Sequence, residues 1–366
     1  IGKTNSSVKK EVEDNFPHLP LGCSIILEKK AKEYILDNIR NATSLNRNQI
    51  IQRIANFEHQ SDLDLTLKNF IEITHIPIEA IYKKDCWSRL CQLAGKLPDF
   101  SSGIEKNILT AIRNKWLSTN SNSYFRFLLQ IAKSEFKISI LDFNEVEQKM
   151  LLMLHYDVWQ KAAGFADLET SINSIGESPI LVNEIIEVLE LLLDKIDFSE
   201  TAINLPFKQP LKIHARYTRD QILTAFELNT FYKQSSNREG VAENKELNTE
   251  ILFVDLIKSE EDFSPTTMYD DYAISDSLFH WQSQNQTRAD SGKGVTYIKH
   301  KSLDKTILLF VREKAKNEHK TTMGYIFIGK VNYVNHYGSK PMSIRWELEE
   351  PIPNYLWKDV VKLAIG

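Results

Sequence analysis

The period of the apolar residues changes once along this chain of 366 residues, at NLPFKQP, residues 204–210. Before it, apolar positions recur every three or four residues. In GIEKNILTAIRNKWL, Ile104, Ile108, Leu109, Ile112 and Trp116 fall on one helical stripe, and in EKKAKEYILDNIRNA the stripe is Ala31, Ile35 and Ile39. Turn signals around Pro77, Pro98, Asn120 and Pro179 separate such segments. After the change come short runs rich in β-branched and aromatic residues: EILFVDLI, VTYIKH, TILLFVR, GYIFIGKVNYV and MSIRWELEE. Thr218 followed by Gln221 is a capping-box pair and predicts one helix among them. The expectation is a multidomain α+β chain. Residues 1–24 form a lead-in, 25–205 an N-terminal all-α helical bundle, and 211–366 a β-barrel with flanking helices.

A hydrophobic content of 42% and a charged content of 26% fit globular cores. The net charge of −4 excludes a uniformly basic surface but leaves room for a local basic groove. Cys23, Cys86 and Cys91 form no CxxC pair, so reduced thiols in a cytoplasmic protein are expected rather than a zinc site. No run of eighteen apolar residues occurs and the first residues are polar, so neither a membrane span nor a signal peptide is expected.

Gly2-Lys3-Thr4 mimics the end of a phosphate loop without the preceding strand and glycine that such a loop needs. Boxes of the Asp-Glu-x-Asp kind, His-x-Lys pairs and Gly-x-Ser-x-Gly elbows are absent from the sequence. Glu250, Asp255 and Lys258 hint at a metal nuclease, but residues three apart on a strand point to opposite faces. A fragment without catalysis or cofactor of its own is expected.

The densest chemistry lies in MYDDYAI, residues 268–274, and FHWQSQN, residues 279–285. Planar bases need faces to stack on, and Tyr269, Tyr272 and Trp281 offer them. A cytosine amine needs an acceptor, which Asp271 supplies, and Gln282 and Gln284 add amides on one strand face. Such a set suits a base taken out of the helix and gripped by its edge. The bland alternative is that the aromatics are core residues of a small barrel. Downstream, Lys299, His300, Lys301, Ser339, Lys340 and Arg345 are candidate phosphate contacts.

These segments carry a resemblance. FSPTTMYDDYAISDSLFHWQSQN, GVTYIKH, LLFVRE, GYIFIG and HYGSKPMSIRWELEEPIP resemble the C-terminal domain behind superfamily-2 helicases, of the DUF3427 type. FPHLPLGCSIILEKKAKEYILDNI resembles the segment that follows the motor. The architecture is similar to that of SauUSI-type, type IV modification-dependent restriction enzymes. The resemblance implies an SRA/PUA-like barrel that reads 5-methylcytosine or 5-hydroxymethylcytosine by base flipping. Its partners would be double-stranded DNA with modified cytosine and the covalently linked helicase and nuclease domains. ATP and Mg2+ would belong to those parent domains. A second reading is a protein-interaction module that couples a helicase without reading bases. A third is a nuclease hidden in the barrel.

Overall fold

The computed structural model describes residues 46–60, 62–257, 271–317 and 321–361. The helices are α1 (Arg47–Ala55), α2 (Phe57–Gln60), α3 (Leu67–Thr74), α4 (Ile78–Ile81), α5 (Trp87–Leu93), α6 (Glu105–Asn114), α7 (Asn122–Lys133), α8 (Glu145–Trp159), α9 (Leu168–Asn173), α10 (Pro179–Asp194), α11 (Arg219–Ala225), α12 (Gly292–Ile298) and α13 (Asn354–Val361). The strands are β1 (Arg216–Tyr217), β2 (Val241–Asn244), β3 (Thr249–Asp255), β4 (Tyr272–Ala273), β5 (Leu278–Gln282), β6 (Thr306–Arg312), β7 (Tyr325–Tyr337) and β8 (Ser343–Leu348). The architecture is therefore mixed α+β. Among the described residues, those before 200 contain helices and no strand. No helix among them is long and apolar enough to cross a membrane.

The described residues fall into two compact units, one within residues 1–113 and 178–191, the other within residues 114–177 and 192–366. In the first, α1 opens with a capping box, where Asn46 accepts from the Gln49 amide and Gln49 from the Asn46 amide. α10 supplies two carboxylates to the starts of other helices. Glu184 accepts the amide N–H groups of Trp87 and Ser88 at 2.8 and 2.9 Å, and Glu187 accepts that of Leu67 at 2.7 Å. Each satisfies N–H groups that a helix start cannot pair internally and meets the positive end of its dipole.

In the second unit, the sheet runs β2-β3-β6-β7-β8-β5-β4, with β1 paired to β7. β3 and β6 are parallel and the other pairs are antiparallel. β7 is 13 residues long. Its first half pairs with β6 and its second with β8. At the junction Gly329 takes a φ of +114°, beside a register shift in the β6 ladder. That backbone angle is open to glycine and lets the sheet turn a corner.

The two arms enclose one core, in which Leu252, Leu309 and Ile328 meet Phe279, Trp281 and Trp346. The other face of the β3–β6–β7 arm holds Phe310 and Phe327, stacked at 4.4 Å, with Phe226 edge-on to both. Burial on both faces explains the unbroken apolar runs in these strands.

Two expectations are corrected. The sheet curls but does not close into a barrel: β2 and β4 are its ends and do not pair with each other. VTYIKH is not a strand, since its first four residues end α12. Its β-branched residues favour extension, but tertiary packing wins. Tyr297 turns into the core, and the backbone at Gly294 packs so closely that an added Cβ would lie 1.8 Å from the Arg288 carbonyl oxygen.

Candidate nucleic-acid interface

Along β5 and β8 alternate residues face the core, so the residues between them face outward. Phe279, Trp281, Ile344 and Trp346 point inward. The outward set includes Tyr272, His280, Gln282, Arg345 and Glu347. The strand register aligns Tyr272, His280, Arg345 and Asn335 in one row across four strands.

Three rings of this face are stacked. Tyr272 lies 4.7 Å from His280 with planes 19° apart, and Tyr337 lies 5.9 Å from His280 with planes 28° apart. A hydrogen bond of 3.0 Å between His280 Nε2 and the Tyr337 hydroxyl fixes the second pair. His280 is buried between the tyrosines, whereas Tyr337 is 56% exposed. Ser343 pairs with Tyr337 on one side and Gln282 on the other. Its short side chain leaves a lane over β8 through which Tyr337 reaches His280. Arg345 is exposed, and among the described residues its guanidinium has no hydrogen-bond or carboxylate partner.

The predicted base pocket is only partly assembled. Tyr269 lies outside the described residues. Tyr272 and Gln282 stand on the outward face. Trp281 does not: it is buried, edge-on to Tyr297 at 5.4 Å, because its strand parity faces the core. Asp271 is buried and its Oδ1 accepts the Gln282 amide at 2.8 Å, so this oxygen satisfies the β5 backbone beyond β4. Gln284 donates to Glu239 at 2.7 Å.

The predicted phosphate set divides between two sides of the sheet. His300 is buried beside Trp346. Its Nε2 accepts the Tyr333 amide N–H at 3.0 Å, which leaves Nδ1–H to donate to the Lys305 carbonyl at 3.2 Å. Burial lowers its pKa, and both nitrogens are engaged, so His300 is corrected to a structural residue. Lys299 and Lys301 are exposed beside it, on the core side of the β7–β8 ladder. Ser339 and Lys340 are exposed in the turn after Tyr337. The Ser339 hydroxyl accepts the Ala289 amide N–H at 3.3 Å, and the Lys340 amide donates to the Thr287 carbonyl at 3.0 Å.

The acidic residues of β3 form separate ion pairs. Glu250 accepts from the Tyr297 hydroxyl at 2.6 Å and from Lys293 at 2.9 Å. Asp255 receives Arg312 through two bonds of 2.6 and 2.9 Å. Lys258 lies outside the described residues. Among the described residues no group of three or more metal-ligating side chains converges.

Residues 211–360 match the model of a domain of unknown function, DUF3427. A search of curated proteins finds no match. The DUF3427 domain contains all eight strands and therefore both faces of the curled sheet.

His280 and Tyr337 were not singled out by sequence reasoning. The signal for His280 was available: it alternates with Trp281 and shares parity with Gln282. Tyr337 was hidden by the irregularity between Tyr333 and Asn335 in the β7–β8 ladder. Tyr333 and Tyr337 are four apart, which on a regular strand means one face. The shift puts Tyr333 against the core and Tyr337 outside.

Proposed function

We propose that the DUF3427 domain is the DNA-reading part of a type IV modification-dependent restriction enzyme, and that it receives an unstacked cytosine carrying a 5-methyl or 5-hydroxymethyl group. The observation that carries this reading is the outward stack of Tyr272, His280 and Tyr337 beside the uncompensated Arg345. Two rings are held on a buried histidine before any ligand arrives, so little ordering entropy opposes stacking of a base on Tyr337. Base–aromatic stacking contributes about 1–3 kcal/mol, comparable with the few kcal/mol needed to unpair one base. The reading uses the open sheet face and requires no closed barrel. The choice of modified cytosine rests on the sequence resemblance. ATP and Mg2+ serve the linked motor and nuclease in this scheme.

A single buried methyl adds only about 0.8 kcal/mol, a fewfold preference. The test is a titration of the chain with matched duplexes that differ only in 5-methylcytosine, 5-hydroxymethylcytosine or unmodified cytosine. Binding that favours a modified duplex and weakens on Tyr337→Ala supports the reading. Equal affinity for all three removes the modification readout. No binding to any duplex leaves the coupling module as the function.

A further inference from the structure

β4, β5, β7 and β8 carry two side chains with permanent positive charge among their described residues, Lys330 and Arg345. Glu349 neutralises Lys330 at 2.8 Å. Arg345 has no such partner there, although Glu347 stands two residues along the same strand face. It is also not at a rim: its register partners are His280 on β5 and Asn335 on β7, so a strand flanks it on each side. The exposed Lys340 lies instead in the turn beyond the strand ends.

This position separates two roles that a cation on a nucleic-acid surface can play. Phosphates follow the outside of a strand whose bases stack inward, so rim cations meet phosphate and central side chains meet base edges. A cytosine stacked on Tyr337 lies over the sheet, and the edge of the base next to it in the strand comes within reach of a side chain anchored on the adjoining strand β8. The rigid fork of a guanidinium matches the paired acceptors O6 and N7 of guanine.

We propose that Arg345 reads a guanine edge in the strand laid across this face rather than gripping phosphate. The inference rests on the reading of the face as a nucleic-acid surface and specifies its sequence preference.

The experiment uses the 366-residue chain and labelled oligothymidylates that carry one central guanine or adenine, with affinity measured over a range of salt. The guanine probe should bind about tenfold tighter than the adenine probe, as a bidentate contact provides. Arg345→Lys keeps the charge and loses the fork, so it should erase that preference and leave the salt slope unchanged. Arg345→Lys that retains the preference overturns the proposal. So does an Arg345→Gln variant that weakens both probes equally and lowers the salt slope by about one, because that behaviour belongs to a phosphate contact. Failure of the unaltered chain to bind any oligonucleotide or duplex overturns the nucleic-acid reading itself, together with this proposal. Arg345 is exposed, and an unchanged melting temperature verifies that each variant is folded.

Discussion

His280 stands directly opposite Tyr272 on the neighbouring strand, and their rings stack at 4.7 Å. Tyr337 reaches the Nε2 edge of the imidazole from a strand two places away in the sheet. The same β5 segment points Phe279 and Trp281 into the core. One five-residue strand thus separates its rings by parity alone: Phe279 and Trp281 pack in the core, and His280 stands on the opposite face under the tyrosines.

That separation is testable with two substitutions. Trp281→Ala removes a buried indole packed on Tyr297 and Trp346 and should cost about 3–5 kcal/mol of stability. Tyr337→Ala removes a half-exposed ring and one hydrogen bond, so stability should change by only about 1 kcal/mol. Its duplex affinity should fall by about five- to a hundredfold. Melting temperature and affinity measured on both variants check this. A Trp281→Ala variant as stable as the parent would remove Trp281 from the core. Unaltered affinity of Tyr337→Ala would remove Tyr337 from the interface.

The coarse architecture is legible in the sequence because helical and extended periods are local properties. The capping pair Thr218 and Gln221 does start α11, and Ile104, Ile108, Ile112 and Trp116 of the helical stripe are buried. Sheet closure is not legible, because it depends on which strands end the sheet, a relation between residues far apart in sequence. The helix α12 is illegible for a related reason: the close approach of Gly294 to Arg288 and the burial of Tyr297 override a β-branched run. At the candidate interface, Tyr272 and Gln282 follow from composition and alternation. Tyr337 does not, since one irregular position in β7 reverses the parity on which such reasoning depends.

His155 is a buried histidine whose Nε2 lies 2.9 Å from the Lys161 carbonyl and whose Nδ1 lies 2.9 Å from the Ser171 hydroxyl. Burial pulls its pKa down to about 4. An unfolded histidine titrates near 6.5, so the native state resists a proton that the unfolded state accepts. Stability contributed by the neutral ring is complete above pH ~6.5 and is lost as pH falls toward about 4. Imidazole proton resonances should show one ring still neutral at pH ~5, assigned by its loss in His155→Gln. A native titration of His155 near pH ~6.5 would contradict this account.

Glu184 holds α10 to the start of α5 within the first unit. Its side chain is buried and accepts two backbone N–H groups. Glu184→Ala leaves both donors without an acceptor, at a cost of about 2–4 kcal/mol for a buried, charge-assisted pair of bonds. Glu184→Gln keeps one acceptor oxygen and should recover part of that loss. Urea midpoints in the order parent, Gln, Ala check the prediction. An Ala variant equal to the Gln variant would show that the retained amide oxygen and side-chain volume contribute nothing, and that the carboxylate itself carries the effect.

Asp157 is the hub of the helices in the second unit. It is fully buried on α8, and its Oδ2 accepts from Trp116 Nε1 at 3.0 Å, the Tyr124 hydroxyl at 2.9 Å and Gln221 Nε2 at 2.9 Å. Gln221 also reaches Oδ1 at 3.1 Å, and its own carbonyl accepts from the Thr119 hydroxyl and the Thr218 amide. Burial raises the pKa of Asp157 to about 6, against the opposing pull of Lys115 and the three donors. An ordinary aspartate titrates near 3.9, so the native state keeps a proton that the unfolded state has already released. The resulting penalty is absent below pH ~4, grows between there and about 6, and is complete above it; a shift of this size corresponds to about 3 kcal/mol. Asp157→Asn removes that titration but turns an amide donor toward a ring of donors, which costs about 1–3 kcal/mol at every pH. The parent should therefore exceed the variant in stability at pH ~4, and the gap should narrow or reverse by pH ~7. Urea unfolding of both proteins across this range measures the gap directly. A constant difference would mean that the Asp157 carboxyl does not titrate in this window and that the four donated bonds outweigh its burial.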